Sequence, residues 1–475
     1  MPDRTFARRT TVVLSLISTA CHARVGARDL STPTAVLPVS GECTASPSPL
    51  GTMAAAQSEV APVITFDSAW TIIARSHWDT TYNGVNWRAL RDTLRPRAAA
   101  ATSNVELRGI LTDMVGRLRQ SHFSIIPREV SDATSGGAGD RSGRVGFALR
   151  YIEGTMVVSH VQAGSNAKNA GVMPGWTLLA VGECSVASRL SKIPAAMESR
   201  RLALTAFNVA TQSLAGAVGD TVYLTFLDGA GQRRRLGIAR EAEPGSVERF
   251  GNLPPRNAHL EFERAKHGDR TVGIIRFNIW MPVLVAQFNA AIDSLRDVDG
   301  MVLDLRGNFG GVGGMSTGIA GHFLDSARTI GTMHQRGATL NFVANPQRVD
   351  TRARLVSPYA GPLAIVVDEL SISTTEIFAA GMKELGRATV FGSQTAGQAL
   401  PSVPERLPNG DVLYHAIADF VSPNGKPLEG DGVRPDIKTV LTRKALLAGR
   451  DPALDAAVIW AAASAKQRGR AALTP

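Results

Sequence analysis

The spacing of hydrophobic positions predicts a chain built from both helices and strands. Between Phe66 and Leu118, apolar residues recur three and four positions apart, which predicts amphipathic helices. Asp67 and Asn104 are expected to cap two of these helices. From Arg270 to about Thr442, short apolar runs alternate with helical patterns, which predicts a layered α/β domain. A last helix is predicted over 452–465.

The stretch between these two regions has the pattern of a small β domain. Short apolar runs separated by Gly-containing turns fill residues 143–242. Arg233 to Arg235 follow an Asp-Gly-Ala-Gly turn, so these arginines are expected on the solvated face of a hairpin strand. Residues 22–60 are rich in Ser, Thr, Pro and Ala without apolar periodicity, which is typical of a disordered linker.

The chain is therefore predicted to be a multidomain α/β protein. A length of 475 residues is too great for one compact core, which agrees with several domains. The predicted segments are 1–21 (targeting segment), 22–60 (linker), 61–130 (N-terminal helical domain), 143–242 (β-rich domain), 265–445 (α/β core) and 446–475 (C-terminal helix and tail).

The charge of the chain raises the question of an anionic partner. The formal net charge is +10 and the sequence pI is about 9.9. The basic residues are scattered, however, and no basic patch is interleaved with aromatic residues, so nucleic acid is not expected as a partner. An anionic envelope surface or an acidic substrate explains the charge equally well.

The N-terminus has the features of an export signal. Arg8 and Arg9 precede the apolar run Val12 to Ile17 and then small residues, and the run is too short to span a membrane. Cys21 follows Ala20 as at a bacterial lipoprotein cleavage site. We therefore expect export to the periplasm or cell envelope, with a lipid anchor if Cys21 is modified. The other two cysteines are Cys43 and Cys184, which either pair in an oxidising compartment or are unrelated thiols.

One serine stands where a nucleophile would be useful. The apolar strand Ala364 to Val367 is predicted to turn into a helix at Ser373, which places a hydroxyl beside the free N–H groups of the helix. Ser373-Thr374-Thr375-Glu376 is also a capping-box sequence, so a purely structural role for the serine is the alternative.

Three further segments have residues suited to the same chemistry. Asp304 to Gly311 ends a strand in a Gly-rich turn whose N–H groups suit an oxyanion hole; the alternative is an ordinary strand-to-helix turn. Ser121-His122 supplies an imidazole, although a lone histidine is more often a surface or packing residue. Glu429 precedes a Gly-rich turn, where a carboxylate is by default solvated.

Together these segments resemble one family, the C-terminal (tail-specific) processing peptidases and the tricorn core protease. Asp-Leu-Arg-Gly-Asn-Phe-Gly-Gly is similar to the oxyanion segment of that family, Ser-Thr-Thr-Glu-Ile to its nucleophile helix, and Gly-Val-x-Pro-Asp at 432–436 to its closing motif. The resemblance covers roughly residues 66–440 and implies a crotonase-like α/β core.

The β-rich segment resembles a PDZ domain. Gly-Ser-Asn-Ala-Lys-Asn-Ala-Gly from Gly164 is similar to a run in bacterial protease PDZ domains. The resemblance implies that a loop containing Val145, Gly146 and Phe147 binds the C-terminal carboxylate of a peptide, which would add a strand to a sheet edge. A small β domain with a structural role is the alternative.

One departure from the family decides the expected mechanism. Tail-specific peptidases use a Ser-Lys dyad, but here Thr395-Ala396-Gly397 is followed by Gln398, which cannot accept a proton at neutral pH. The tricorn-like branch uses serine, histidine and glutamate with a helper serine, and Ser121-His122 and Glu429 resemble those groups. The resemblance implies the following roles: Ser373 nucleophile, His122 base, Glu429 orienting carboxylate, Ser121 helper, and Gly310, Gly311 and Thr374 oxyanion donors.

The sequence therefore predicts an exported serine endopeptidase that acts on proteins or peptides, with the PDZ-like segment expected to recognise their C-termini. The alternative is an inactive peptide- or lipophile-binding member of the same fold. No cofactor and no metal are expected, since His259 and His267 are isolated from other ligand types. Contact with a membrane is expected only through an anchor at Cys21.

Overall fold

The computed structural model describes residues 60–132, 143–194, 197–249 and 251–471, with side chains described to residue 465. The predicted export signal, nearly all of the predicted linker, Cys21 and Cys43 lie outside the described residues. Cys184 is disulfide-bonded. Among the described helices, none combines the length and the apolar character that crossing a membrane requires.

The described helices alternate with many short strands. The α-helices are α1 (Pro62–Ser76), α2 (Trp87–Ala100), α3 (Asn104–Gly116), α4 (Arg128–Asp132), α5 (Asn166–Asn169), α6 (Val186–Leu190), α7 (Ser199–Leu214), α8 (Val285–Ser294), α9 (Gly314–Gly321), α10 (Thr374–Glu384), α11 (Arg443–Leu447) and α12 (Pro452–Ala471). Short 3-10 turns occupy Tyr82–Gly84 and Pro282–Leu284.

The strands group by the regions that the sequence analysis distinguished. From the N-terminus to the end of the β-rich region they are β1 (Ser124–Ile126), β2 (Gly143–Arg144), β3 (Phe147–Ile152), β4 (Thr155–Val161), β5 (Thr177–Val181), β6 (Cys184–Ser185), β7 (Thr221–Leu227), β8 (Arg233–Ala239) and β9 (Glu241–Ala242). The rest are β10 (Ser246–Glu248), β11 (Arg256–Ala258), β12 (Leu260–His267), β13 (Arg270–Phe277), β14 (Gly300–Asp304), β15 (Arg328–Gln335), β16 (Ala338–Ala344), β17 (Leu363–Val367), β18 (Thr389–Gly392), β19 (Ser402–Arg406), β20 (Val412–Ala416), β21 (Ala418–Val421) and β22 (Ile437–Lys438).

The N-terminal helices α1 to α3 pack around a buried cluster that includes Phe66 and Leu111. The two predicted caps are wrong. Helix α1 begins at Pro62, because a proline needs no hydrogen-bond acceptor at the first helical position, and Asp67 instead lies inside the helix and pairs with Arg91. Helix α3 is capped by Ser103, whose hydroxyl accepts the N–H of Glu106 at 3.2 Å.

The β-rich region forms its own sheet. Its strand order is β3-β4-β5-β7-β8, with β6 paired to β5, so β3 is an edge strand. The predicted hairpin is confirmed: β7 and β8 pair in antiparallel register, and Arg233 to Arg235 are exposed on β8. Residues of α7 and of the sheet share one apolar cluster, which includes Leu149, Ala206 and Phe226.

The α/β core is a six-stranded sheet in the order β12-β13-β14-β17-β18-β22. Strand β12 is antiparallel to β13, and the other neighbours are parallel. Side chains from alternate positions of the strands pack against α8, α9 and α10 on one face and against α12 on the other. The carboxyl ends of β14 and β17 are neighbours, so the turns that follow them meet at one edge of the sheet.

A three-stranded sheet in the order β1-β20-β19 connects the helical region to the core. Leu413 on β20 is buried in the apolar cluster of the helices, while the neighbouring strand β1 begins two residues after His122. This sheet therefore positions the histidine, which is distant in sequence from the core, relative to the residues around 398–430.

Candidate active site

Ser373 sits on a strained turn between β17 and α10. Its backbone has φ 59° and ψ −120°, a conformation that a non-glycine residue rarely adopts. The turn is held by the Glu376 carboxylate, which accepts the N–H of Ser373 at 3.1 Å, so the predicted capping pair is present. A strained strand-to-helix turn of this kind presents a hydroxyl above the end of a sheet.

The turn after β14 lies directly against this serine. Gly310 has φ 86°, and a Cβ added to it would lie 2.6 Å from the Cβ of Ser373, so only glycine allows this approach. The predicted role of Gly310 as an oxyanion donor does not fit its hydrogen bonding. Its N–H donates to the Asn308 side-chain oxygen at 3.0 Å, and the Asn308 amide in turn donates to the carbonyl of Phe277.

The other two predicted oxyanion donors keep their N–H groups available. Among the residues that the structure describes, no acceptor is bonded to the N–H of Gly311 or of Thr374. The two residues are neighbours, because the Thr374 hydroxyl donates to the Gly311 carbonyl at 2.8 Å. Free N–H groups at the start of a helix stabilise a negative oxygen.

Ser121 joins the predicted base to the predicted carboxylate. The Ser121 Oγ lies 2.7 Å from His122 Nδ1 and 2.8 Å from Glu429 Oε2. The Ser121 N–H donates to Glu429 Oε1 at 2.8 Å. The glutamate therefore contacts the imidazole through the serine hydroxyl, a detail that the roles predicted from the sequence, an orienting carboxylate and a helper serine, did not specify.

This arrangement assigns the tautomer of His122. An ionised carboxylate only accepts hydrogen bonds, so the Ser121 hydroxyl donates to Glu429 and must accept from His122 Nδ1–H. The lone pair of the neutral imidazole is then on Nε2. Burial lowers the pKa of His122 to about 4, so the imidazole is neutral at pH 7 and able to accept a proton, while burial raises the pKa of Glu429.

Ser373 and His122 are connected through the backbone and not by a hydrogen bond between their side chains. No such bond is recorded between these two described residues. Instead, the Ser373 N–H donates to the Gln398 carbonyl at 2.9 Å, and the next residue, Ala399, donates its N–H to Glu429 at 3.1 Å. The two halves of the site thus meet at 398–399.

The sequence analysis saw Glu376 only as part of a capping box. The structure shows a fully buried carboxylate that accepts four hydrogen bonds, from the backbone of Ser373, Gly397 and Gln398 and from the Thr395 hydroxyl. Burial raises its pKa to about 7. The capping motif was the only sequence feature that pointed to this residue.

Helix α7 of the β-rich region packs on the loops that carry the site. Arg200 donates to the carbonyls of Gly430 and Asp431 at 2.9 and 2.7 Å, next to Glu429. Two turns further on, Phe207 contacts Phe309 with ring centres 5.6 Å apart and the planes tilted by 38°. Nothing in the sequence pattern indicated these contacts, because they depend on how two regions dock.

Strand β3 makes a second connection to the site. Arg150 pairs with Asp368 at 2.6 Å, and both side chains are largely buried. The Asp368 carboxylate also accepts the N–H groups of Gly307 and Leu370, which belong to the two turns around the serine. A side chain of the β-rich region therefore binds the carboxylate that joins these two turns.

The predicted carboxylate-binding loop lies at the start of the edge strand β3. Val145 is buried, and the Gly146 carbonyl accepts the N–H of Gln162 and the hydroxyl of Ser165. Phe147 is the first residue of β3. As for metals, the described residues contain no group of three or more His, Cys, Asp or Glu side chains placed to hold an ion.

Comparisons with known proteins relate this chain to serine peptidases. Residues 271–439 match the family model Peptidase family S41, and residues 65–116 match the tricorn protease C1 domain. The chain is 26% identical over 380 residues to carboxyl-terminal-processing peptidase 2, chloroplastic, of Arabidopsis thaliana, covering 78% of this chain and 67% of that one. It is 24% identical over 377 residues to the carboxyl-terminal-processing protease of Synechocystis sp. (strain ATCC 27184 / PCC 6803 / Kazusa), covering 78% of each.

A solved structure shares the fold. The photosystem II D1 C-terminal processing protease superposes with a TM-score of 0.54 at 20% identity, over 82% of this chain and 95% of that one. Mature CPAF gives the same TM-score of 0.54 at 13% identity, over 82% of this chain and 94% of that one. The mixed α/β, multidomain architecture is thus that of the processing proteases.

Proposed function

From the premise that this chain is a serine peptidase of family S41, we propose that it hydrolyses peptide bonds of proteins through Ser373, with His122 as the base. The observation that carries the proposal is the hydrogen-bonded series Glu429–Ser121–His122 beside the strained serine turn. The Ser-Lys dyad of the tail-specific branch is absent, because Gln398 occupies the lysine position.

The chemistry is acyl transfer. The Ser373 hydroxyl attacks the scissile carbonyl while His122 Nε2 takes its proton, and the imidazolium keeps its Nδ1–H bond to Ser121. The Ser121 hydroxyl donates to the Glu429 carboxylate and accepts from the imidazolium, so the carboxylate stabilises the positive charge through this hydroxyl. The protonated Nε2 then donates its proton to the leaving amine. Water next attacks the acyl-enzyme while His122 Nε2 accepts a proton from it, and that proton returns to Ser373 as the acyl group leaves.

The oxyanion is bound by the N–H groups of Gly311 and Thr374 in this proposal. Both are without an acceptor in the described part of the chain, and both lie next to the serine. The Gly310 N–H is left out because Asn308 already accepts it. Removal of one such donor typically costs about 10²–10³ in rate.

The domain organisation supports a processing role. We assign a helical domain to 61–130, a PDZ-like domain to 143–242 and a crotonase-like core to 265–445. The relatives are named for carboxyl-terminal processing, and the edge strand β3 with the loop at Val145 to Phe147 suits a peptide that adds a strand. Substrates selected by a free C-terminus follow from this assignment.

Export to the periplasm or cell envelope is part of the proposal. A disulfide on Cys184 fits an oxidising compartment, and the N-terminal sequence has an export pattern. Cell fractionation tests the export, and mass analysis of the purified mature chain tests whether Cys21 is lipidated.

Labelling with a fluorophosphonate probe tests the nucleophile. We expect the wild type to label and Ser373→Ala to remain unlabelled. Ser326→Ala is the matched control, since this serine is exposed and its hydroxyl donates to its neighbour Asp325. Equal labelling of wild type and Ser373→Ala would reject Ser373 as nucleophile, and a wild type that never labels would favour a peptide-binding protein.

A pair of peptides tests C-terminal recognition. The same sequence is prepared with a free carboxylate and with a C-terminal amide, and cleavage of both is followed. We expect the amide to raise KM with little change in kcat, since the proposed carboxylate contact involves the loop at Val145 to Phe147 and none of the groups that perform the chemistry. Equal KM values for the two peptides would remove the recognition claim and leave the nucleophile assignment intact.

A further inference from the structure

A tyrosine outside the series described above lies against the base. Strands β1 and β20 pair in antiparallel register with Ser124 opposite Tyr414. His122 lies just before β1, in a bend where its backbone has φ 61°, so the register of the strands alone does not place its side chain. The ring centres of His122 and Tyr414 are 5.8 Å apart, with the planes tilted by 46°.

Tyr414 is itself held in place from two sides. Its hydroxyl bonds to the Ser402 Oγ of β19 at 2.5 Å. The neighbouring residue Leu413 points to the other face of the strand and is buried among the helices. With both the hydroxyl and the backbone fixed, the aromatic ring has little freedom to turn away from the imidazole.

We propose that Tyr414 is a positioning residue for the base: its ring covers one side of the His122 imidazole and, together with Ser121 on Nδ1, keeps Nε2 directed to Ser373. The inference rests on the proposed function of His122. Ser121 alone fixes one atom of the ring and leaves rotation about that hydrogen bond open. A contact on the side of the ring removes this freedom, which matters because small misplacements of a reacting group reduce the rate strongly.

The electrostatic surroundings agree with a covering role. Burial is the cause that lowers the pKa of His122 to about 4. The charged groups on this side are Glu429, which acts through Ser121, and Arg201, which acts on Glu429. Tyr414 contributes an uncharged surface that keeps water from the imidazole.

The experiment separates the ring of Tyr414 from its hydroxyl. The full chain is prepared as wild type, Tyr414→Phe and Tyr414→Ala, and the rate of fluorophosphonate labelling is measured. Tyr414→Phe keeps the ring and should label within about threefold of wild type, whereas Tyr414→Ala should label about tenfold slower or worse. Tyr223→Ala is the control, because that tyrosine is 55% exposed on β7.

A spectroscopic measurement distinguishes positioning from a general loss of structure. Histidine labelled with ¹³C at the ring is titrated by NMR, and the His122 signal is assigned from its absence in His122→Ala. Without the ring of Tyr414, the pKa of His122 should rise from about 4 towards its ordinary 6.5, and in Tyr414→Phe it should stay low. Tyr414→Leu, which keeps much of the volume, replaces the alanine variant if that variant does not fold.

The two hypotheses fail in different ways. Unchanged labelling and an unchanged His122 titration in Tyr414→Ala would overturn the positioning role. A wild type that never labels would overturn the proposed function instead.

Discussion

Removal of the Ser121 hydroxyl is the sharpest test of how the carboxylate reaches the base. In Ser121→Ala, His122 Nδ1 loses its partner at 2.7 Å and Glu429 Oε2 loses a donor at 2.8 Å. The turn should persist, because the Ser121 N–H still donates to Glu429 Oε1 and the Ala399 N–H still donates to Oε2. The change therefore affects the charge that forms on the imidazole more than the fold.

The size of the effect follows from the bond that is lost. A hydrogen bond to a charged group contributes about 1.5–3 kcal/mol, and here the charge exists only once His122 has taken the proton. The loss should therefore appear in the barrier, as a fall in kcat of about 10- to 150-fold with KM nearly unchanged. Ser121→Thr keeps a hydroxyl and should recover most of the rate, while Ser124→Ala, three residues along the chain, is the exposed control.

A double-mutant cycle decides between a relay and a direct contact. If Glu429 acts through Ser121, then Glu429→Gln should add little to the damage already present in Ser121→Ala. Additive losses in the double variant, or a Ser121→Ala enzyme within threefold of wild type, would show that Glu429 reaches His122 without the hydroxyl. Rates of fluorophosphonate labelling and of peptide cleavage both serve as the assay.

Three other changes have defined outcomes. His122→Ala should lower kcat by about 10³ or more, while Gln398→Ala, which keeps the backbone carbonyl that the nucleophile bonds, should lower it far less; the reverse ranking would reject the base assignment. Burial raises the pKa of Glu376 to about 7 from 4.5, so the stability that this group contributes is complete below pH 4.5 and is lost as pH rises through about 7. Urea unfolding should show this decline in wild type and a smaller decline in Glu376→Gln; parallel curves would contradict it. Gly310→Ala should lower kcat by about 10², because its Cβ would lie 2.6 Å from the Cβ of Ser373. Gly337→Ala is the control: this glycine also has a positive φ but open space around it, so the change should lower stability and leave kcat unaltered. Thermal unfolding and cleavage rates measure the two effects.

The serine turn was predictable because every cue for it is local. An apolar strand, a capping sequence and a helical pattern follow one another within a few residues, and the structure places Ser373 between β17 and α10 accordingly. The predicted caps at Asp67 and Asn104 were wrong for an equally local reason. Helix α1 begins at Pro62, five positions before Asp67, and helix α3 is capped by Ser103, one position before Asn104.

The details that the sequence could not supply depend on side chains that meet across the fold. The Gly-rich turn was recognisable, but the side chain of Asn308 takes the N–H of Gly310, and a sequence gives no indication of where an asparagine will turn. Likewise, Tyr414 faces His122 only because β20 pairs with β1, a pairing between segments almost three hundred positions apart. Strand patterns identify such segments and leave the choice of partner open.

In the mechanism proposed above, the segment 397–399 accounts for how the site would work without the lysine of the tail-specific peptidases. Its backbone accepts the N–H of Ser373, donates two N–H groups to the buried Glu376 and donates one to Glu429. In a Ser-Lys enzyme the side chain at this position is the base. In the proposed mechanism the Gln398 side chain is not the base, while the main chain of this segment bonds Ser373 on one side and the Glu429 carboxylate on the other. A change of base from lysine to histidine therefore requires no change in the backbone of this segment. It requires a proton acceptor from elsewhere in the chain, and the sheet that contains β1 and β20 positions His122 for that role in the proposed mechanism.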